Sequence, residues 1–162
     1  MTTPLPLITP ERAARMLADS FMVLNRVHPN ERNLPPGLLL AMPPTWNNRY
    51  QALLYGEAEA RGYATMAVTG SKFLQNISWP GPIILHAHWF AGIFIGCRSE
   101  AEALQRFSQM SEEILNFRDR TNAKLIWTAH NIFPHGNNFP QTFLKLRQWI
   151  FENFDAIHVM HG

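Results

Sequence analysis

What the chain lacks narrows it first. A single cysteine, Cys97, among 162 residues cannot close an internal disulfide, which fits a reducing compartment. No apolar run approaches the ~18–20 residues that a membrane-spanning helix needs. The opening MTTPLPLITPER has no basic region leading into an apolar stretch, so a secretory signal is not expected. No repeat is visible at a period of about 20–50 residues. The Walker pattern, the Gly-x-Gly-x-x-Gly fingerprint and Gly-x-Ser-x-Gly are all missing, which argues against the usual NAD, ATP and serine-hydrolase enzymes. A net charge of +2, with no block of like charges and no RNA-binding aromatic signature, excludes nucleic acid as the expected partner, although a pI near 9.0 suits an anionic one. The expectation is one cytoplasmic domain of ordinary globular composition, 46% hydrophobic and 16% charged.

What is present is an alternation. Residues 1–36 read as an N-terminal extension: Thr9 caps a short helix with Pro10 at its first position and an apolar stripe of Ala14, Leu17, Phe21 and Leu24. GLLLAM (37–42) is a first buried strand, followed by the turn PPTWNN and a helix over 49–61 that Gly62 stops. A weaker strand spans 63–69, then an irregular stretch to Pro82 with one helical turn near Phe73. A third strand spans 83–89. Ser99 and Glu102 form a capping box for a long helix to about Arg120, whose buried stripe is Leu104, Phe107, Met110, Ile114 and Phe117. A strand over 124–129, a helix starting near Pro140 and a strand over 155–160 complete the pattern. Such alternation predicts an α/β domain over 37–162, a Rossmann-like parallel sheet with helices on both faces and ligands beyond the carboxyl ends of its strands.

Imidazoles gather at that rim. His86, His88 and Trp89 follow the third strand, His130, Asn131 and His135 the fourth, and His161 the fifth, while Asn47, Asn48 and Arg49 follow the first. No Asp or Glu stands at any predicted strand end, which speaks against a Mg²⁺ site and against paired-carboxylate glycosidase chemistry. His86 and His88, two apart, share one face of a strand, and His130 or His161 would complete a zinc set. Covered sheet faces and the missing Asp or Cys support make a zinc hydrolase the third choice, and no metal is expected. His86, deeper in its strand, reads as a hydrogen-bonded core imidazole, while His28 and His158 carry no functional expectation. The remaining donors suit a hydroxylated or anionic ligand, helped by the N-terminus of the helix near Pro140.

Three segments in order, HAHWF, IWTAHNIFPH and FDAIHVMHG, resemble the N-terminal, acceptor-side domain of GT-B glycosyltransferases, closest to bacterial family-4-like enzymes of exopolysaccharide synthesis. NRYQALLYGEAEARGY looks like the acceptor-side helix of that group. The resemblance covers 37–162. It implies half of a GT-B fold that needs a nucleotide-sugar-binding domain or subunit for activity. The implied reaction moves a sugar from a nucleotide sugar, a donor substrate and not a cofactor, to a hydroxyl of a glycan or lipid-linked acceptor. Peripheral contact with the inner face of the cytoplasmic membrane would follow. His130 maps onto the motif histidine near the donor sugar. An inverting reaction would require His88 or His130 as base; in a retaining one, the reading favoured here, His130 contacts the donor sugar. Trp89, Asn131, His135, Asn47, Asn48, Arg49 and His161 are the expected substrate-binding residues. The sequence departs from the family in PPTWNN, which replaces a Gly-rich loop, in Gly136, which replaces an acid after Pro134-His135, and in lacking the Glu-x7-Glu domain. The alternative function is a non-catalytic binding or partner module that kept the fold.

Overall fold

The short apolar runs all become strands. In a computed structural model that describes residues 36–44, 49–130 and 139–159, they form β1 (Gly37–Met42), β2 (Tyr63–Ala67), β3 (Ile83–Ala87), β4 (Lys124–Ala129) and β5 (Ala156–Val159). All pairings are parallel, in the order β2-β1-β3-β4-β5. Parallel neighbours need crossovers, and three helices appear in them: α1 (Arg49–Tyr55), α2 (Glu100–Thr121) and α3 (Pro140–Asn153). This is the Rossmann-like α/β fold expected. β1 runs to β2 on one side and the chain then returns to β3 on the other, so the order switches between β1 and β3. Right-handed crossovers in opposite directions put α1 on one face of the sheet and α2 and α3 on the other.

The α2/α3 face holds the apolar core. Leu38 and Leu40 of β1, Leu85 of β3 and Leu125 of β4 are fully buried, with Leu40, Leu85 and Leu125 in register across the three strands. Ile114 and Phe117 of α2 and Leu146 and Ile150 of α3 close over them. Each such burial stabilises by about 1.5–3 kcal/mol. Leu74 and Ile77, in and after the 3₁₀ turn Ser71–Asn76, join this layer, and Arg120 donates to both of their carbonyl oxygens at 2.9 Å. The opposite face alternates with it: Leu39, Ile84 and Ile126 are only half-buried, and His86, Thr128 and His158 are polar.

Several boundaries differ from expectation. The helix expected over 49–61 stops at Tyr55, and a 3₁₀ turn over Glu59–Arg61 follows it. Gly56 is a poor helix former, and Leu53 and Leu54 point to solvent, so packing does not carry the helix on. Gly62 does end that segment, at φ +80, its N–H donating to Glu59 O. β3 ends at Ala87, leaving His88 and Trp89 beyond the strand. In α2, Ser99 Oγ accepts from Glu102 N–H at 3.2 Å, while the Glu102 carboxylate takes the N–H of Arg98 at 2.7 Å, one residue earlier than a capping box would have it. Its buried stripe takes Ala103 in place of a fully buried Leu104. In α3 the buried stripe is Thr142, Leu146 and Ile150, and Leu144 is 65% exposed. The expected N-terminal helix falls in 1–35, outside the described residues. Among the described residues no helix is long and apolar enough to cross a membrane.

Candidate functional site

Period-two alternation places His86 and His88 on the α1 side, and register brings β4 and β5 residues beside them. His86 pairs with Ile126, so Thr128, two residues on, lies diagonal to it, and Thr128 pairs with His158. His86 Nε2 is 2.8 Å from Thr128 Oγ1, and the same hydroxyl is 3.3 Å from His158 Nδ1. Tyr50 of α1 reaches His158 Nδ1 at 3.1 Å. His86 is thus the hydrogen-bonded core imidazole expected, 6% exposed.

A second row runs along the rim at the switch between β1 and β3. Tyr55 Oη lies 2.5 Å from His88 Nε2, and His88 Nδ1 lies 3.1 Å from His130 Nε2. His130 is stacked on Trp89 at 3.9 Å between centroids with 15° between planes, and Tyr50 stands nearly perpendicular to it, 5.1 Å between centroids. His86 and His88 stack at 4.5 Å. Burial is the main reason these imidazoles stay neutral, and their mutual proximity adds to it. His86 is pulled down to about 4, by burial and then by His158 and His130. His88 is pulled down to about 3, by burial and then by His86, His130 and His158. His130 is lowered by burial and by His158, and burial raises the Tyr55 phenol, with Tyr50 adding to the effect. Neutral imidazole can donate from one nitrogen and accept at the other.

Beside this row lies a cavity of about 370 Å³ between the β3 and β4 ends and α3. His88, Trp89, His130 and Trp127 line it from the sheet, and Phe143 and Arg147 from the helix; no carboxylate is among the described residues that line it. The Arg147 guanidinium stands 5.5 Å over the Trp127 ring. A second cavity, about 400 Å³, lies on the α1 side, with Tyr55, Gln51 and Ala41 in its walls.

Of the expected site residues, the fold brings His88, Trp89 and His130 together. Arg49 sits exposed at the start of α1 and lines neither cavity. Asn47, Asn48, Asn131, His135 and His161 lie outside the described residues. The N-terminus of α3, expected to meet phosphate, is already met by a carboxylate of the chain itself: Glu100 accepts from Thr142 N–H at 2.6 Å. Among the described residues no three His, Cys, Asp or Glu side chains stand as a metal-ligating group. Both ring nitrogens of His88 already have hydrogen-bond partners.

Sequence reasoning missed Tyr50, Tyr55, Thr128, His158 and Arg147. A signal existed for Thr128, which stands two before His130 as His86 stands two before His88. None existed for the tyrosines: five residues apart on a helix, they point about 140° from one another.

The fold and the site together define an open parallel α/β domain with an aromatic and imidazole-lined cavity at its carboxyl rim. No protein-family model matches this chain, and no curated protein matches it at a significant level.

Proposed function

We propose that this chain is the acceptor-side half of a GT-B glycosyltransferase, working with a second domain or subunit that binds the nucleotide sugar. The observation that carries the reading is the Trp89–His130 stack beside a cavity with neutral imidazoles and no carboxylate among the described residues that line it. An aromatic platform accepts the apolar face of a sugar ring, and the flanking His130 imidazole hydrogen-bonds a hydroxyl without the cost of desolvating a charge. The three ordered segments HAHWF, IWTAHNIFPH and FDAIHVMHG support the same assignment, and two of them supply the stacked pair. The second reading is a binding module without a catalytic base, in keeping with the lack of a carboxylate among the described lining residues.

Calorimetry on the isolated chain tests the first reading. Glycan or lipid-linked saccharide acceptors should bind, and Trp89→Ala should weaken them about fivefold to tenfold. Micromolar binding of nucleotide sugars by this chain alone would count against a half that lacks the donor site. In a complex reconstituted with a donor-binding half, His130→Ala should cut turnover at least about tenfold, and unchanged turnover removes His130 from the site. Acceptor binding with no transfer in any reconstitution leaves the binding module.

A further inference from the structure

His88 is held from both ends of its own backbone. Its N–H donates to Met42 O at 2.8 Å, and its carbonyl accepts from Trp127 Nε1–H at 3.2 Å. Its ring lies between Tyr55 and His130, with one nitrogen on each. A neutral imidazole carries one proton, so it donates from one nitrogen and accepts at the other. Both bonds must then run in one sense along the row, either from Tyr55 toward His130 or the reverse.

The tyrosine end decides the sense. A phenol O–H is a stronger donor than an imidazole N–H, and an imidazole lone pair is a better acceptor than a phenol oxygen. The 2.5 Å contact is therefore best made as O–H···N. In the reverse sense the Tyr55 O–H would have no acceptor among the described residues, at a cost that a half-buried hydroxyl avoids by donating. With Tyr55 donating, His88 carries its proton on Nδ1 and gives it to His130 Nε2. The proton of His130 then lies on Nδ1, the nitrogen that no described residue engages.

We propose that Tyr55 is a positioning residue which, through His88, fixes His130 as the Nδ1–H tautomer, so that His130 meets its ligand as a hydrogen-bond donor. So arranged, His130 offers an N–H to an oxygen of the ligand and has no free lone pair with which to take up a proton. It serves as a binding contact rather than a base. The identity of that ligand rests on the glycosyltransferase reading; the tautomer does not. Burial of the row supports neutrality at physiological pH, since His88 is pulled down to about 3 and the Tyr55 phenol is raised.

Long-range ¹H–¹⁵N correlation spectra of the uniformly ¹⁵N-labelled chain at pH 7.5 test this, with His88 and His130 assigned from single His→Gln variants. Both rings should show a protonated Nδ1 and an unprotonated Nε2. Tyr55→Phe keeps the ring and removes the donor, and should move both rings toward the Nε2–H form, exchanging the two nitrogen positions. Nε2–H on His130 in the unaltered chain, or an unchanged pattern in Tyr55→Phe, overturns the proposal. Should Tyr55→Phe fail to fold, the spectrum of the unaltered chain still decides. The expected pattern in a chain that binds no glycan supports the relay and counts against the functional reading alone.

Discussion

The two faces of this sheet are made from the same strands and behave as different materials. In β3 and the residue after it, Leu85 and Ala87 point into an apolar layer closed by α2 and α3, while His86 and His88 point the other way into a layer of hydroxyls and imidazoles under α1. The first face is held by area removed from water, which needs no direction. The second is held by hydrogen bonds, which do, and which cost most when one partner is missing. A strand that alternates between them anchors its functional residues through their immediate neighbours: the backbone that Leu85 and Ala87 fix is the backbone that aims His86 and His88.

The contrast breaks most readily on the apolar side. Phe117, 1% exposed, should cost about 3–5 kcal/mol on truncation to alanine, read as a lower urea midpoint with an unchanged slope. A loss under about 1 kcal/mol would mean that the α2 layer is not the main support. On the polar side the lever is pH. His86 and His88 stay neutral in the native state down to about 4 and 3, whereas in the unfolded chain they take up protons near 6.5. Stability is therefore full above that value and falls as pH drops, with the loss levelling off below the folded values. Between pH 7.5 and 5 the decrease should be on the order of 1–2 kcal/mol after allowance for solvent screening, visible as a lower Tm. A flat Tm over that window would place these imidazoles in water.

The smallest change separates hydrogen bonding from packing. Thr128→Val preserves shape and removes the hydroxyl between His86 and His158, and should cost about 1 kcal/mol with no cavity formed. His86→Leu together with Thr128→Val removes both members of that bond and should recover part of the loss. A double variant no more stable than the single one would show that His86 draws its support from elsewhere in the cluster.

Much of the fold was legible because it depends on local pattern. KLIWTA is strand β4 from end to end, GLLLAM is β1, and Ser99 does cap α2. Where a tertiary neighbour decides, the local pattern is silent. Nothing in RYQALLYGEAEAR says that Leu53 and Leu54 find no core to join, and the helix ends at Tyr55, short of the expected stop at Gly62. In α3 the apolar Leu144 is exposed while the polar Thr142 is buried, its N–H bonded to Glu100 from another helix. At the site, His88, Trp89 and His130 stood out because histidine and tryptophan after apolar runs are conspicuous. Their companions did not, because tyrosine on a short helix and histidine at the edge of a sheet are unremarkable in a string.

By itself the sequence determined which residues would form strands, that those strands would be parallel, and that imidazoles would end at one rim. Period-two alternation and strand-helix alternation are local and additive, and they are written in order along the chain. Tertiary structure alone decided that residue 55 would speak to residue 88 and residue 88 to residue 130. That row crosses three elements, and its direction depends on a contact between one phenol and one imidazole brought within 2.5 Å only by the switch between β1 and β3.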